Sequence, residues 1–168
     1  MASLKADFDE VMQRVESGRE LSHASFEPIF YLVFSPDQIG EVKRLTPSWV
    51  AKLKNAGWQV ELFSIAEHVA DILAAAPTRK VWLAAEKKAP LDWERTNKSL
   101  ANELLRNNQL QTRLEDLLAR IEGQAKTIVL VTDLEGLHPY MRIGAIEAEL
   151  QGKFHIPSVL LPRTASTR

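Results

Sequence analysis

The chain contains no cysteine. Disulfide staples and thiolate metal sites are excluded, and a reducing compartment is the expectation. It also lacks a charge imbalance, with 21 Lys and Arg against 22 Asp and Glu. A formal net charge of −1 gives no global pull toward nucleic acid or an acidic membrane. No stretch is apolar enough to span a bilayer. The opening "MASLKADFDEVMQRVESG" mixes acids with apolar residues, which argues against a signal peptide. These absences predict a soluble cytoplasmic protein.

The common phosphate-binding signatures are missing too. "FSPDQIGEV" has neither a glycine-rich cradle nor Gly-Lys-Ser/Thr, so no ring of backbone N–H groups is arranged for phosphates. No G-x-G-x-x-G and no G-x-S-x-G nucleophile elbow occurs. The four histidines, His23, His68, His138 and His155, form no H-E-x-x-H pair. No metal site and no cofactor are predicted.

What remains is ordinary globular material: 168 residues, 45% hydrophobic and 26% charged, the usual size of one domain. A chain of this length buries roughly 70% of its unfolded surface on folding, so it needs no staples. Leu4, Phe8, Val11, Met12 and Val15 share one face of a first helix, with Gly18 as its expected stop. Ile29 to Phe34 is apolar throughout, as strands buried on both faces are. The next helix points Ile39, Val42, Leu45, Trp49, Val50 and Leu53 at the core. Pro47 is expected to bend or interrupt it, and Gly57 to close it. "QVELFSI" alternates into a second strand, and "AEHVADILAAA" is a short helix on which His68 lies one turn from Ile72.

A polar middle, about 78–123, reads as a helical insertion with an expected break at Asn107-Asn108. "KTIVLVTD" and "IPSVLLP" are the third and fourth strands. Between them, Pro139 to Gln151 forms a helix with Gly152 as its expected C′ residue. There is no internal repeat. Alternating apolar strands and amphipathic helices predict a single α/β domain over 1–168, layered on a mainly parallel sheet of about four strands. Its crossovers should be right-handed, and ligands should sit beyond the strands' carboxyl ends.

One stretch carries candidate chemistry. In "DLEGLHPYMR", Asp133 falls where the third strand ends. Gly136 permits a tight turn, and Pro139 suits the first helical position. Tyr140 and Arg142 follow on the first turn, where free N–H groups can hold an anion. Asp133, His138, Tyr140 and Arg142 would thus converge. The competing reading is structural, with Asp133 or Glu135 satisfying loop amides and Arg142 bridging to Asp133 or the insertion. That reading, or partner binding, is preferred here over catalysis. Trp82 and Trp93 stand among charges in the middle segment; they either dock the insertion on the sheet, the reading preferred slightly, or form a candidate partner surface.

At these residues the chain resembles the BrxB family of bacterial BREX phage-defence systems. "FYLVFSPDQIGEVKRLTPSWVAKLKNAGWQVELFSIAEHVADIL" is similar to that family's N-terminal half. "LVTDLEGLHPYMRIGAIEAELQGKFHIPSVLL" is similar to its most distinctive stretch, matching at Leu137, His138, Pro139, Tyr140, Arg142, Leu150, Gln151, Gly152 and Pro157. The insertion matches poorly. The resemblance implies a non-enzymatic accessory of a multi-protein antiphage assembly, with a DNA methyltransferase, a phosphatase-like protein and a large ATPase as companions. The phosphatase-like component is the expected partner, and direct nucleic-acid binding is not expected. Family members continue past the last strand through a Tyr-Pro-Gly type of turn, whereas "LLPRTASTR" ends at Arg168, so a truncated or short relative is expected. The fold expectation is a P-loop-NTPase-like layer without the P-loop. The alternative function is a hydrolytic or phosphate-handling enzyme centred on Asp133, His138, Tyr140 and Arg142.

Overall fold

A computed structural model describes residues 3–20, 28–76, 79–88, 93–137, 146, 148, 150 and 152–162. Four parallel strands form one sheet: β1 (Ile29–Tyr31), β2 (Gln59–Ser64), β3 (Thr127–Thr132) and β4 (Ser158–Leu160). Their order is β1-β4-β3-β2, so β1 and β2 are the edges. The helices are α1 (Leu4–Glu20), α2 (Ile39–Asn55), α3 (Ile65–Ala74), α4 (Arg79–Lys88), α5 (Trp93–Leu105) and α6 (Gln109–Ile121). The predicted α/β layering is the observed one.

Side-chain alternation along β3 divides the core. Ile128 and Leu130 join α1 and α2 on one face, with Leu4, Phe8, Val42, Leu45 and Trp49. Val129 and Val131 join α3, α5 and α6 on the other, with Val69, Ile72, Leu104, Leu114 and Leu118. Handedness accounts for the split. The β1-α2-β2 crossover travels across the whole sheet, while the later connections step back through β3 to β4. Right-handed connections running in opposite directions must lie on opposite faces.

Burial follows strand position. The first five residues of β3 are fully buried, as its continuous apolar run requires. In β2, at the edge, Phe63 is buried while Leu62 remains 52% exposed.

Three expectations are corrected. Ile29 to Phe34 is not a strand buried on both faces: β1 is an edge strand that ends at Tyr31, and Tyr31 and Val33 are about half exposed. Pro47 does not interrupt α2, which is one helix from Ile39 to Asn55. The proline removes only the N–H that would bond the Lys43 carbonyl, and the buried stripe of Val42, Leu45, Trp49 and Leu53 holds the helix on the sheet. Gly18 does not end α1, which runs to Glu20. An interior glycine costs about 1 kcal/mol, less than the burial of Leu4, Phe8, Val11 and Val15 contributes.

The turns expected at Asn107-Asn108, Gly57 and Gly152 are observed. Arg106–Asn108 is a 3-10 turn between α5 and α6, with Asn108 in the left-handed region at φ 50°. Gly57 and Gly152 have φ of 92° and 82°, conformations that favour glycine. Ile146 and Ala148 are helical, and the Leu150 N–H donates to the Ile146 carbonyl.

Candidate functional site

The carboxyl ends of β2 and β3 meet at Ser64, Thr132 and Asp133. Ser64 and Thr132 are register partners, and Asp133 is one residue beyond. Ser64 Oγ donates to Asp133 Oδ2 at 2.6 Å and accepts the Glu67 N–H at 3.3 Å. The serine therefore caps α3 and ties its first turn to the loop after β3. Asp133 holds φ at 56°, a left-handed conformation that aspartate tolerates better than most residues. A 3-10 turn, Leu134–Leu137, follows and buries Leu134 and Leu137 against α3.

Across the sheet's end, Lys43 of α2 lies 3.3 Å from Glu135. Ser35 precedes the Pro36–Gln38 turn that starts α2, and its N–H donates to Gln38 Oε1 at 3.0 Å. Thr46 Oγ1 donates to the Val42 carbonyl at 2.7 Å. Between these groups lies a cleft of about 20 Å³, lined by Phe34, Ile39, Lys43, Thr46, Asp133 and Glu135 among others. That volume accommodates about one water molecule. The described polar groups at this end bond one another rather than facing a substrate-sized space.

Of the predicted site residues, Asp133 is here, and its partner is Ser64. His138, Pro139, Tyr140 and Arg142 lie outside the described residues, as does His23. Trp82 and Trp93 fall within α4 and α5, but their side chains are outside the described residues. His155 is exposed. Among the described residues, no group of three or more His, Asp or Glu could hold a metal ion. Among the same residues, no helix is long and apolar enough to cross a membrane.

His68 has a built environment that its spacing only hinted at. Its ring stacks on Phe63, centroids 4.0 Å apart and 13° from parallel. Arg113 Nη1 approaches His68 Nδ1 at 3.1 Å and Asp71 Oδ2 at 3.7 Å. A guanidinium can only donate, so Nδ1 accepts and the imidazole is neutral. Burial, then the Arg113 charge, lowers the His68 pKa below 6.5, while Asp71 and Glu67 oppose the shift. These residues form one side of a groove of about 280 Å³ between β2 and α6.

The fold is a three-layer α/β protein, and among the described residues its strand-end edge carries the Ser64–Asp133 and Lys43–Glu135 contacts. The chain matches no family model, no curated protein and no solved structure.

Proposed function

We propose that the protein is a non-enzymatic binding component of a BREX-type antiphage assembly, docking on another protein of that system. One structural observation supports this over catalysis: among the described residues, the polar groups at the strand-end edge, where α/β enzymes place their ligands, are engaged in Ser64–Asp133 and Lys43–Glu135 contacts. The cleft between the described residues there suits about one water. Leu137, His138, Pro139, Tyr140 and Arg142 carry the resemblance that names the system, and the phosphatase-like component is the proposed partner. In this reading the turn after β3 serves shape and recognition.

One observation favours the second reading, an enzyme centred on Asp133, His138, Tyr140 and Arg142. Asp133 holds a left-handed backbone at the end of the central β3, and such outliers cluster at working sites. A paired experiment separates the readings. Arg142→Ala, His138→Ala and Tyr140→Phe are made in cells carrying the full system, and phage protection, co-purification and melting temperature are measured. Binding predicts that Arg142→Ala loses co-purification or stability by about 1–3 kcal/mol, as for other charged hydrogen bonds. If His138→Ala or Tyr140→Phe abolishes protection while co-purification and stability hold, the turn performs chemistry.

A further inference from the structure

β2 leaves one side of its backbone without a partner among the described residues. The Gln59 N–H donates to the Lys126 carbonyl, toward β3. In a parallel ladder bonding alternates, so Gln59, Glu61 and Phe63 face β3 while Val60 and Leu62 present N–H and C=O outward. Leu62 is also 52% exposed as a side chain. A six-residue edge strand with an unpaired backbone side and a half-exposed leucine is a ready template for another strand.

The side chains beside that edge select the occupant. Glu61 and Phe63 alternate onto the α6 face and line the groove, whose other charged or titratable residues are His68, Arg113, Asp116 and Arg120, so it carries two acids and two guanidinium groups. Arg113 sits at the Phe63 end, because both touch His68. Among the described residues Glu61 has no ion pair, and the contacts of Arg113 are a neutral imidazole and an exposed Asp71. The groove beside the edge thus holds the Glu61 carboxylate on β2 and, toward Phe63, the Arg113 guanidinium on α6. A surface with both charges at fixed spacing complements its own copy turned through a twofold axis.

We propose that β2 pairs antiparallel with β2 of a second copy of this chain, joining two four-stranded sheets into one. The outward groups restrict the registers to those matching Val60, Leu62 and Ser64 with one another. A twofold at Glu61 sets two carboxylates face to face, which is destabilising. A twofold at Leu62 sets Leu62 against the partner's Leu62 and Glu61 against the partner's Phe63. Each Glu61 then enters the other copy's groove beside the partner's Arg113. The Leu62 pair exchanges two backbone bonds, and each Ser64 N–H can reach a Val60 carbonyl, about four bonds in all. This surface is the outward backbone edge of β2 and shares only Ser64 with the strand-end contacts, so it neither requires nor excludes the docking function proposed above.

The test uses the full chain and sedimentation from about 1 to about 200 µM, since dimer stability depends on concentration. Wild type is expected to shift from monomer to dimer across that range. Leu62→Pro deletes one outward N–H, which an edge strand tolerates, and should weaken the dimer by about tenfold or more. Leu62→Lys keeps the backbone and places two cations together, so it should weaken the dimer even if the proline variant fails to fold. Glu61→Arg and Arg113→Glu should each weaken it, and the double variant should recover most of the loss. Because the chain lacks cysteine, Leu62→Cys supplies a single reporter thiol. Paired Cα atoms about 5.5 Å apart fall within the disulfide range, so mild oxidation should yield a cross-linked dimer. Val81→Cys, 66% exposed on α4, is the control and should not cross-link comparably. A wild type that stays monomeric throughout, a Leu62→Lys that dimerises like wild type, or equal cross-linking at Val81 overturns the proposal. A monomer that binds an extended segment of another protein at β2 overturns it in favour of that partner.

Discussion

Ser64 and Asp133 are 69 residues apart in sequence and joined by a 2.6 Å hydrogen bond across the ends of β2 and β3. The same hydroxyl caps α3 through the Glu67 N–H. Removing it with Ser64→Ala uncaps the helix and leaves a half-buried carboxylate without its donor. The expected loss is about 1–2 kcal/mol, read from urea or guanidinium unfolding. Asp133→Val should cost more than Asp133→Asn, because a β-branched residue resists the left-handed φ. Equal stability for those two variants would contradict that backbone assignment.

Gly152 turns the chain from the helix containing Ile146 into the approach to β4. Its φ of 82° is the conformation expected of a residue just past a helix end. Gly152→Val should therefore lower stability by about 1 kcal/mol or more, seen as a reduced melting temperature. An unchanged melting temperature would mean that the turn relaxes without cost.

His68 makes stability depend on pH. Burial first, and the Arg113 charge second, favour its neutral form, so its folded pKa lies below the unfolded value of 6.5. Its contribution is complete above pH 6.5 and is lost as pH falls through the folded pKa, because the unfolded chain binds the proton more readily. Denaturation midpoints between pH 8 and pH 5 should fall less in His68→Phe, which keeps a ring on Phe63 and cannot titrate. Parallel curves for the two proteins would rule out this linkage.

Gln111 is 4% exposed on α6, and its Oε1 has no hydrogen-bond partner among the described residues. Burying an unsatisfied amide oxygen costs about 1–3 kcal/mol. Gln111→Met keeps the shape and removes that cost. Its expected effect is neutral to stabilising, by up to about 2 kcal/mol in chemical denaturation. A clear loss of stability would show that the amide serves a contact beyond Oε1.

Nucleotide binding supplies a functional check. The β1-to-α2 turn, Ser35-Pro36-Asp37-Gln38, presents no glycine cradle, and the adjacent cleft has room for about one water. Calorimetry with Mg-ATP should give no binding at micromolar affinity. A micromolar dissociation constant would require the strand-end edge to open.

How far the sequence reaches is clear from individual residues. β3 was legible because burial on both faces demands an apolar residue at nearly every position from Thr127 to Val131. The Asn107-Asn108 break was legible because asparagine accepts a left-handed φ. Ser64 was not legible as Asp133's partner, since only the β2–β3 register brings them together. Lys43 was hidden likewise, because it reaches Glu135 from a helix in another part of the chain. The Phe63–His68–Arg113 stack draws on β2, α3 and α6, and helical spacing reports on one element at a time. Pro47 misled for a related reason: local propensity predicts an interruption, and packing on the sheet overrides it.

The placement of β4 between β1 and β3 has a consequence for synthesis on the ribosome. β1 finds its only described strand neighbour at Ser158–Leu160, with Ile29 pairing Ser158. About 130 residues must be translated in between, roughly 6–26 s at ordinary elongation rates. Throughout that interval the apolar stripes of α1 and α2 have no completed sheet to cover. Sheet closure is thus a late, long-range event, and slow folding is expected of such contacts. The nascent N-terminal segment is where a chaperone has most to hold.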